Sequence, residues 1–219
     1  MDFAINMNIE EISDMSRTIS VDSDSSSNSE CPSEAAVQHI GIVLYNGFSL
    51  LGVGTLAEAL NIANDLQASA EGGCLTYRVS FLSDRGGIVT CSSSIGVCTE
   101  RFDGGARTFD ALYVAGGIGA KRALAHDELI ELLGIACAQG AAVSALGSGH
   151  VLLTSASLSC DTCTLLGRGI SAHDYPSHPR DERNDALLHT GVLLKLNLGD
   201  DLASLVIERL SKINTCPSC

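Results

Sequence analysis

Ala141-Ala142-Val143-Ser144-Ala145-Leu146-Gly147-Ser148-Gly149-His150-Val151-Leu152-Leu153 is the stretch that decides the fold. Its first half is a short run of small and β-branched apolar residues, which suits a strand buried on both faces. Its second half opens at a Gly-Ser-Gly corner and reads as a helix. Such strand-turn-helix corners lift one side chain above a parallel sheet and turn helix N–H groups towards it, which is how many α/β enzymes present a nucleophile. The apex here is Gly147, which has no side chain to present. The stretch therefore predicts an α/β fold from which the usual chemistry of the corner is missing.

The flanking segments predict the same architecture. Asp127 to Gln139 places Leu129, Leu132, Leu133 and Ala136 on one helical face, stops at Gly140, and feeds a central strand. Before it, Phe109-Asp110-Ala111-Leu112-Tyr113-Val114-Ala115 reads as a buried strand ended by Gly116-Gly117-Ile118-Gly119-Ala120. These glycines let a backbone N–H face a pocket at the carboxyl end of the strand, where open α/β sheets bind ligands. The segment has neither the P-loop lysine pattern nor a Gly-x-Gly-x-x-Gly run. His39-Ile40-Gly41-Ile42-Val43-Leu44-Tyr45 predicts a first, central strand, broken by Asn46-Gly47; Leu50 to Leu66 carries Leu56, Ala59, Leu60 and Ala63 at helical spacing, with Glu58 outside the stripe. Thr76 to Ser83 alternates at period two, Gly86-Gly87 turns the chain into Ile88-Val89-Thr90, and Ser92 to Cys98 is expected as extended or loop structure. Further on, Ser171 to Pro179 reads as a polar connection, Leu188 to Leu194 as a last strand, and Asp200 to Leu210 as a closing helix. Strands alternating with helices imply a three-layer α/β/α sandwich around a mostly parallel sheet.

Composition bounds the rest. The chain has 219 residues and a formal charge of −13, and eight acidic residues against Arg17 alone stand before His39. Residues 1–38 therefore read as a disordered, acidic, Ser-rich tail, 39–211 as the folded domain and 212–219 as a short C-terminal tail. The basic stripe that a nucleic-acid surface needs is missing, so direct DNA or RNA binding by this chain is not expected. Neither a run long enough to span a bilayer nor a secretory leader is present, which predicts a cytoplasmic protein with no membrane partner. Nine cysteines are an odd number, and Cys74, Cys98 and Cys137 lie in apolar surroundings, which suits free thiols.

The order of four landmarks resembles the PfpI superfamily, whose fold is that of class I glutamine amidotransferases: the strand at Ile40 to Tyr45, the Gly47-Phe48-Ser49-Leu50-Leu51 turn, the Phe109 to Gly117 segment, and the Ala145 to Gly149 corner. The match covers roughly His39 to Leu210 and is nearest to the sensor domain of GlxA-like, AraC-type transcription regulators. Ala156-Ser157-Leu158, Cys163-Thr164 and His189-Thr190-Gly191 resemble further segments of those regulators. In catalytic members the apex is a cysteine; that position falls on Gly147, and the acidic partner expected near Leu50 to Gly52 is absent. The resemblance thus implies a pseudoenzyme, a non-catalytic sensor of a small metabolite of amino-acid or amine-like chemistry, with no cofactor. By that resemblance Leu50, Gly116, Gly117, Ile118, Gly147, Ser148, Gly149 and His150 are expected at the ligand pocket, with N–H groups of Gly117 and Ser148 forming a hole for an anion. Ser148 has neither an adjacent base nor the apex position, so it is not expected to act as a nucleophile. A homodimer is implied by the family, and the double helix-turn-helix domain of those regulators finds no room before Cys219.

Two rival readings stay open. One is an enzyme of the same superfamily with a displaced nucleophile; Cys137, placed in a helix before the strand, is poorly located for it. The other takes Cys160-Asp161-Thr162-Cys163 and Cys216-Pro217-Ser218-Cys219 as zinc-binding or redox pairs, although their separation far exceeds that of a zinc ribbon.

Overall fold

The computed structural model describes residues 36–70, 75–103, 108–159 and 179–212. Both Cys-x-x-Cys pairs and the connection at 171–178 lie outside them.

At the centre of the sheet is β1 (Ala36–Val43), flanked in parallel by β2 (Leu75–Ser83) and β5 (Ala111–Val114). The run Ile40 to Tyr45 is buried without interruption, as a strand covered on both faces requires. A Cβ on Gly41 would stand 2.4 Å from Leu112 Cδ2 and 2.9 Å from Leu82 Cδ1, so the missing side chain is what lets leucines of both neighbouring strands close over β1. β2 continues in parallel to β4 (Gly96–Arg101), and β3 (Gly87–Thr90) pairs antiparallel with β4. β6 (Ala142–Ala145) lies parallel to β5 at the other end. Among the described residues the order is β3-β4-β2-β1-β5-β6, a six-stranded, mostly parallel sheet.

Around it stand α1 (Leu50–Ser69), α2 (Ala120–Ala123), α3 (Asp127–Ala138), α4 (His150–Ser155), α5 (Pro179–Leu198) and α6 (Asp200–Lys212). α1, α5 and α6 pack on one another, and α2 and α3 each pack on α4, so the helices fall into two groups. The result is the expected three-layer α/β/α sandwich. α1 starts at Ser49, whose hydroxyl accepts from Gly52 N–H at 3.5 Å, and Glu58 is exposed on it as the spacing predicts. Asn64 ties α1 to the sheet: its amide nitrogen donates to Tyr77 O and its oxygen accepts from Tyr77 N–H, both at 2.8 Å.

Ser92 to Cys98 agrees with its reading as extended or loop structure: it holds a tight turn and the start of β4, as Cys91 N–H bonds Ile95 O at 2.9 Å and reverses the chain into a hairpin. Three expectations need correction. The first strand begins at Ala36 rather than His39. The strand before the corner, β6, lies at the end of the described sheet and not at its centre. Finally, Leu188 to Leu194 belongs to α5 and is no strand. Its buried positions are Ala186, His189, Thr190 and Leu194, a stripe at helical spacing that packs against α1 and α6.

Candidate functional site

The carboxyl ends of β1, β5 and β6 meet in three short loops. After β1 the chain turns at Gly47, with φ +82°, and after β5 it turns at Gly117, with φ +125°. The two loops interlock: Ser49 N–H donates to Gly116 O at 2.8 Å and Gly119 N–H to Gly47 O at 3.0 Å. A Cβ on Gly117 would stand 2.5 Å from both Gly47 O and Ser49 N. Gly117 is thus fixed by close backbone approach as well as by its φ.

After β6, Gly147 takes φ +47°, the left-handed conformation of a sharp elbow, and the turn Gly147–Gly149 hands over to α4. A Cβ on Gly149 would lie 2.5 Å from Ala115 O, so the elbow can sit against the end of β5 only with glycine there. Between the glycines, Ser148 Oγ accepts from Gly117 N–H at 2.8 Å and donates to Gly117 O at 2.9 Å. One hydroxyl spans both backbone groups of Gly117. The hydroxyl donates to a carbonyl, and the Gly117 N–H assigned to an anion hole is in use.

The apex peptide is held from both sides. His150, buried, donates from Nδ1 to Gly147 O at 2.8 Å; a carbonyl only accepts, so Nδ1 carries the proton. Gly147 N–H donates to Asp185 Oδ2 at 2.6 Å. Asp185 and His189 stand one turn apart on α5, with His189 Nε2 at 3.6 Å from Asp185 Oδ1. Both ring nitrogens of His189 are buried without a hydrogen-bond partner among the described residues. The ring packs edge-on against His150, with centroids 5.9 Å apart, and against Tyr113 at 6.4 Å. Burial pushes the Asp185 carboxyl upwards, but His189, the Gly147 N–H and His150 together outweigh it and hold the group below the usual carboxylate range.

The structure thus brings Gly116, Gly117, Gly147, Ser148, Gly149 and His150 together. Leu50 packs half-buried at the start of α1, and Ile118 is 72 % exposed. No acidic residue lies in the first turn of α1, as expected, yet a carboxylate does reach the elbow, from α5. Asp185 and His189 are not among the expected site residues because residues 180–187 carry no expected element and Leu188 to Leu194 reads as a strand; as a helix, their spacing of four shows one pair on one face. An elbow with no apex side chain cannot form a covalent intermediate there. What it offers is a set of polar groups arranged around one peptide.

Comparison with solved structures agrees with this geometry. An AraC family transcriptional regulator from Pseudomonas putida superposes with TM-score 0.54 at 21 % identity, over 79 % of this chain and 99 % of that one. A ThiJ/PfpI family protein from Pseudomonas syringae gives TM-score 0.62 at 14 % identity, over 87 % and 80 %. DJ-1beta of Drosophila melanogaster gives 0.58 at 14 %, over 80 % and 98 %. The fold is that of the PfpI/DJ-1 superfamily. No protein-family model matches the chain, and no curated protein matches it by sequence. Proteins of this fold include both regulators and enzymes, so function follows from the chemistry of the elbow and not from the fold.

Proposed function

We propose that this chain is a non-catalytic sensor domain of the kind found in AraC-type regulators, and that it binds a small metabolite at the elbow. One observation carries the reading: the apex is a glycine whose N–H is taken by Asp185 and whose C=O is taken by His150. The position that acyl-transfer chemistry requires for a nucleophile is filled by hydrogen bonds within the chain. Similarity to the Pseudomonas putida regulator, and to a putative transcriptional regulator from Vibrio parahaemolyticus at TM-score 0.58 and 12 % identity, supports the regulator class. No helix among the described residues is long and apolar enough to cross a membrane. A homodimer in the cytoplasm, without its own nucleic-acid contact, completes the proposal.

The test is a thermal-shift screen of the full chain against amino acids, betaines, polyamines, small carboxylates and zinc at millimolar concentration. A ligand at 100 times its Kd adds about 2.7 kcal/mol. A shift with one metabolite class, absent with the others, is the expected result. A zinc shift alone would transfer the function to the cysteine pairs, and a single fast-reacting thiol at neutral pH would restore the enzyme reading.

A further inference from the structure

The two oxygens of Asp185 face two different groups. Oδ2 takes the Gly147 N–H at 2.6 Å, and Oδ1 faces His189 Nε2 at 3.6 Å. Each group has a further anchor besides Asp185. Gly147 is placed by the end of β6, and His189 is packed, with none of its surface exposed, against Tyr113 and His150. Remove the carboxylate, and a backbone donor and a buried imidazole with no other hydrogen-bond partner among the described residues would face the same space. An N–H and an imidazole N–H converging on one point form a receptor for a carboxylate, since each supplies a donor to one of its oxygens. The Asp185 side chain keeps 16 % of its surface open to solvent, so the occupied position can be reached from outside.

We propose that the elbow is a carboxylate-binding site whose resident occupant is the Asp185 side chain, and that a small carboxylate ligand enters by replacing it. Asp185 is then an internal pseudo-ligand. Because it is tethered, it competes at a high effective concentration, and only a ligand with further contacts displaces it. Replacement releases the Asp185 turn of α5 from the elbow, and α5 is packed on α1 and α6, so the exchange is communicated to that helical layer. This rests on the sensor reading for its purpose, but the site stands on its own geometry.

Chemical rescue tests it on the full-length chain. Asp185→Ala removes one carboxylate, and formate is the probe that restores it. D185A should melt below the parent chain, and sodium formate should raise its Tm saturably, by about 3–6 °C at ten times Kd. Sodium chloride at equal ionic strength should not, nor should formate on the parent chain. Should D185A be unfolded without additives, formate should restore its far-UV circular dichroism. Asp185→Asn keeps an oxygen on the Gly147 N–H, so formate should leave D185N unchanged. Equal responses of D185A to formate and chloride, or equal formate responses of D185A and D185N, would overturn the proposal. Formate rescue without any metabolite shift on the parent chain would leave the carboxylate site standing and remove the sensor reading. A metabolite shift without formate rescue would do the reverse.

Discussion

Ser148→Ala separates a structural serine from a ligand-contacting one. In the structure the hydroxyl makes two hydrogen bonds to the same residue, at 2.8 Å from Gly117 N and 2.9 Å to Gly117 O. Losing two neutral hydrogen bonds costs about 1–3 kcal/mol, and the Gly117 N–H is left in a crowded place, where interlocked loops restrict the approach of water. We take about 2 kcal/mol as the expected loss. For a folded region of this size that is a fall of about 4–8 °C in Tm. Differential scanning calorimetry measures it directly, on a variant that alters neither charge nor backbone conformation. A change below about 1 °C would refute the reasoning, because it would mean that water replaces the hydroxyl on Gly117 at no cost. Loss of metabolite binding at unchanged Tm would go further and make Ser148 a ligand contact.

Three other outcomes follow from the same packing and hydrogen bonds. Gly149→Ala would force a Cβ to within 2.5 Å of Ala115 O and 2.7 Å of Val114 O, both rigid backbone, and should cost about 3 kcal/mol or prevent folding, as read from denaturant midpoints. Asn64→Ala removes both bonds between α1 and Tyr77 of β2, and should destabilise by about 2 kcal/mol in urea unfolding while the secondary structure is kept. Asp185 is held below its ordinary pKa in the folded state, so its contribution is complete above the unfolded value of about 4 and is lost as pH falls through the folded one. Urea midpoints from pH 6 down to pH 3 should therefore fall more steeply for the parent chain than for D185N; parallel curves would contradict the assignment.

The elements that sequence patterning captured are those whose buried stripe is mainly apolar. α3 buries Leu129, Leu132, Leu133 and Ala136, and α1 buries Leu56, Ala59, Leu60 and Ala63, the residues their spacing picks out. In α5 two of the buried positions are His189 and Thr190, so the helical period breaks when only apolar residues are counted, and the remaining leucines resemble a strand. The same two facts hid the site. The elbow was legible because glycine and serine at a strand-helix corner carry a local meaning, whereas Asp185 reaches Gly147 across 38 positions of sequence. Local pattern holds no trace of such a contact until the helix that delivers it has been placed. The status of β6 was equally hidden, since a strand lying at the end of the described sheet and a central one share a composition once helices cover both.

Each glycine and serine of the elbow has a structural duty that explains it without a ligand. Gly117 and Gly149 allow close backbone approach, Gly147 takes a left-handed φ, and Ser148 closes the Gly117 loop. His189 is different. The Gly147 N–H at 2.6 Å and the facing imidazole offset the burial of the Asp185 carboxylate, whereas the His189 ring, with no exposed surface and no hydrogen-bond partner among the described residues, carries a desolvation cost that a contact at 3.6 Å offsets little. An apolar side chain of similar size at 189 would fill the same space without that cost, whereas one at 185 would leave the Gly147 N–H without its acceptor. Stability alone accounts for the carboxylate on Gly147 but not for the buried imidazole beside it. The physical case for function at the elbow therefore rests less on the Gly-Ser-Gly corner, which the backbone needs, than on the buried His189 that stands beside Asp185.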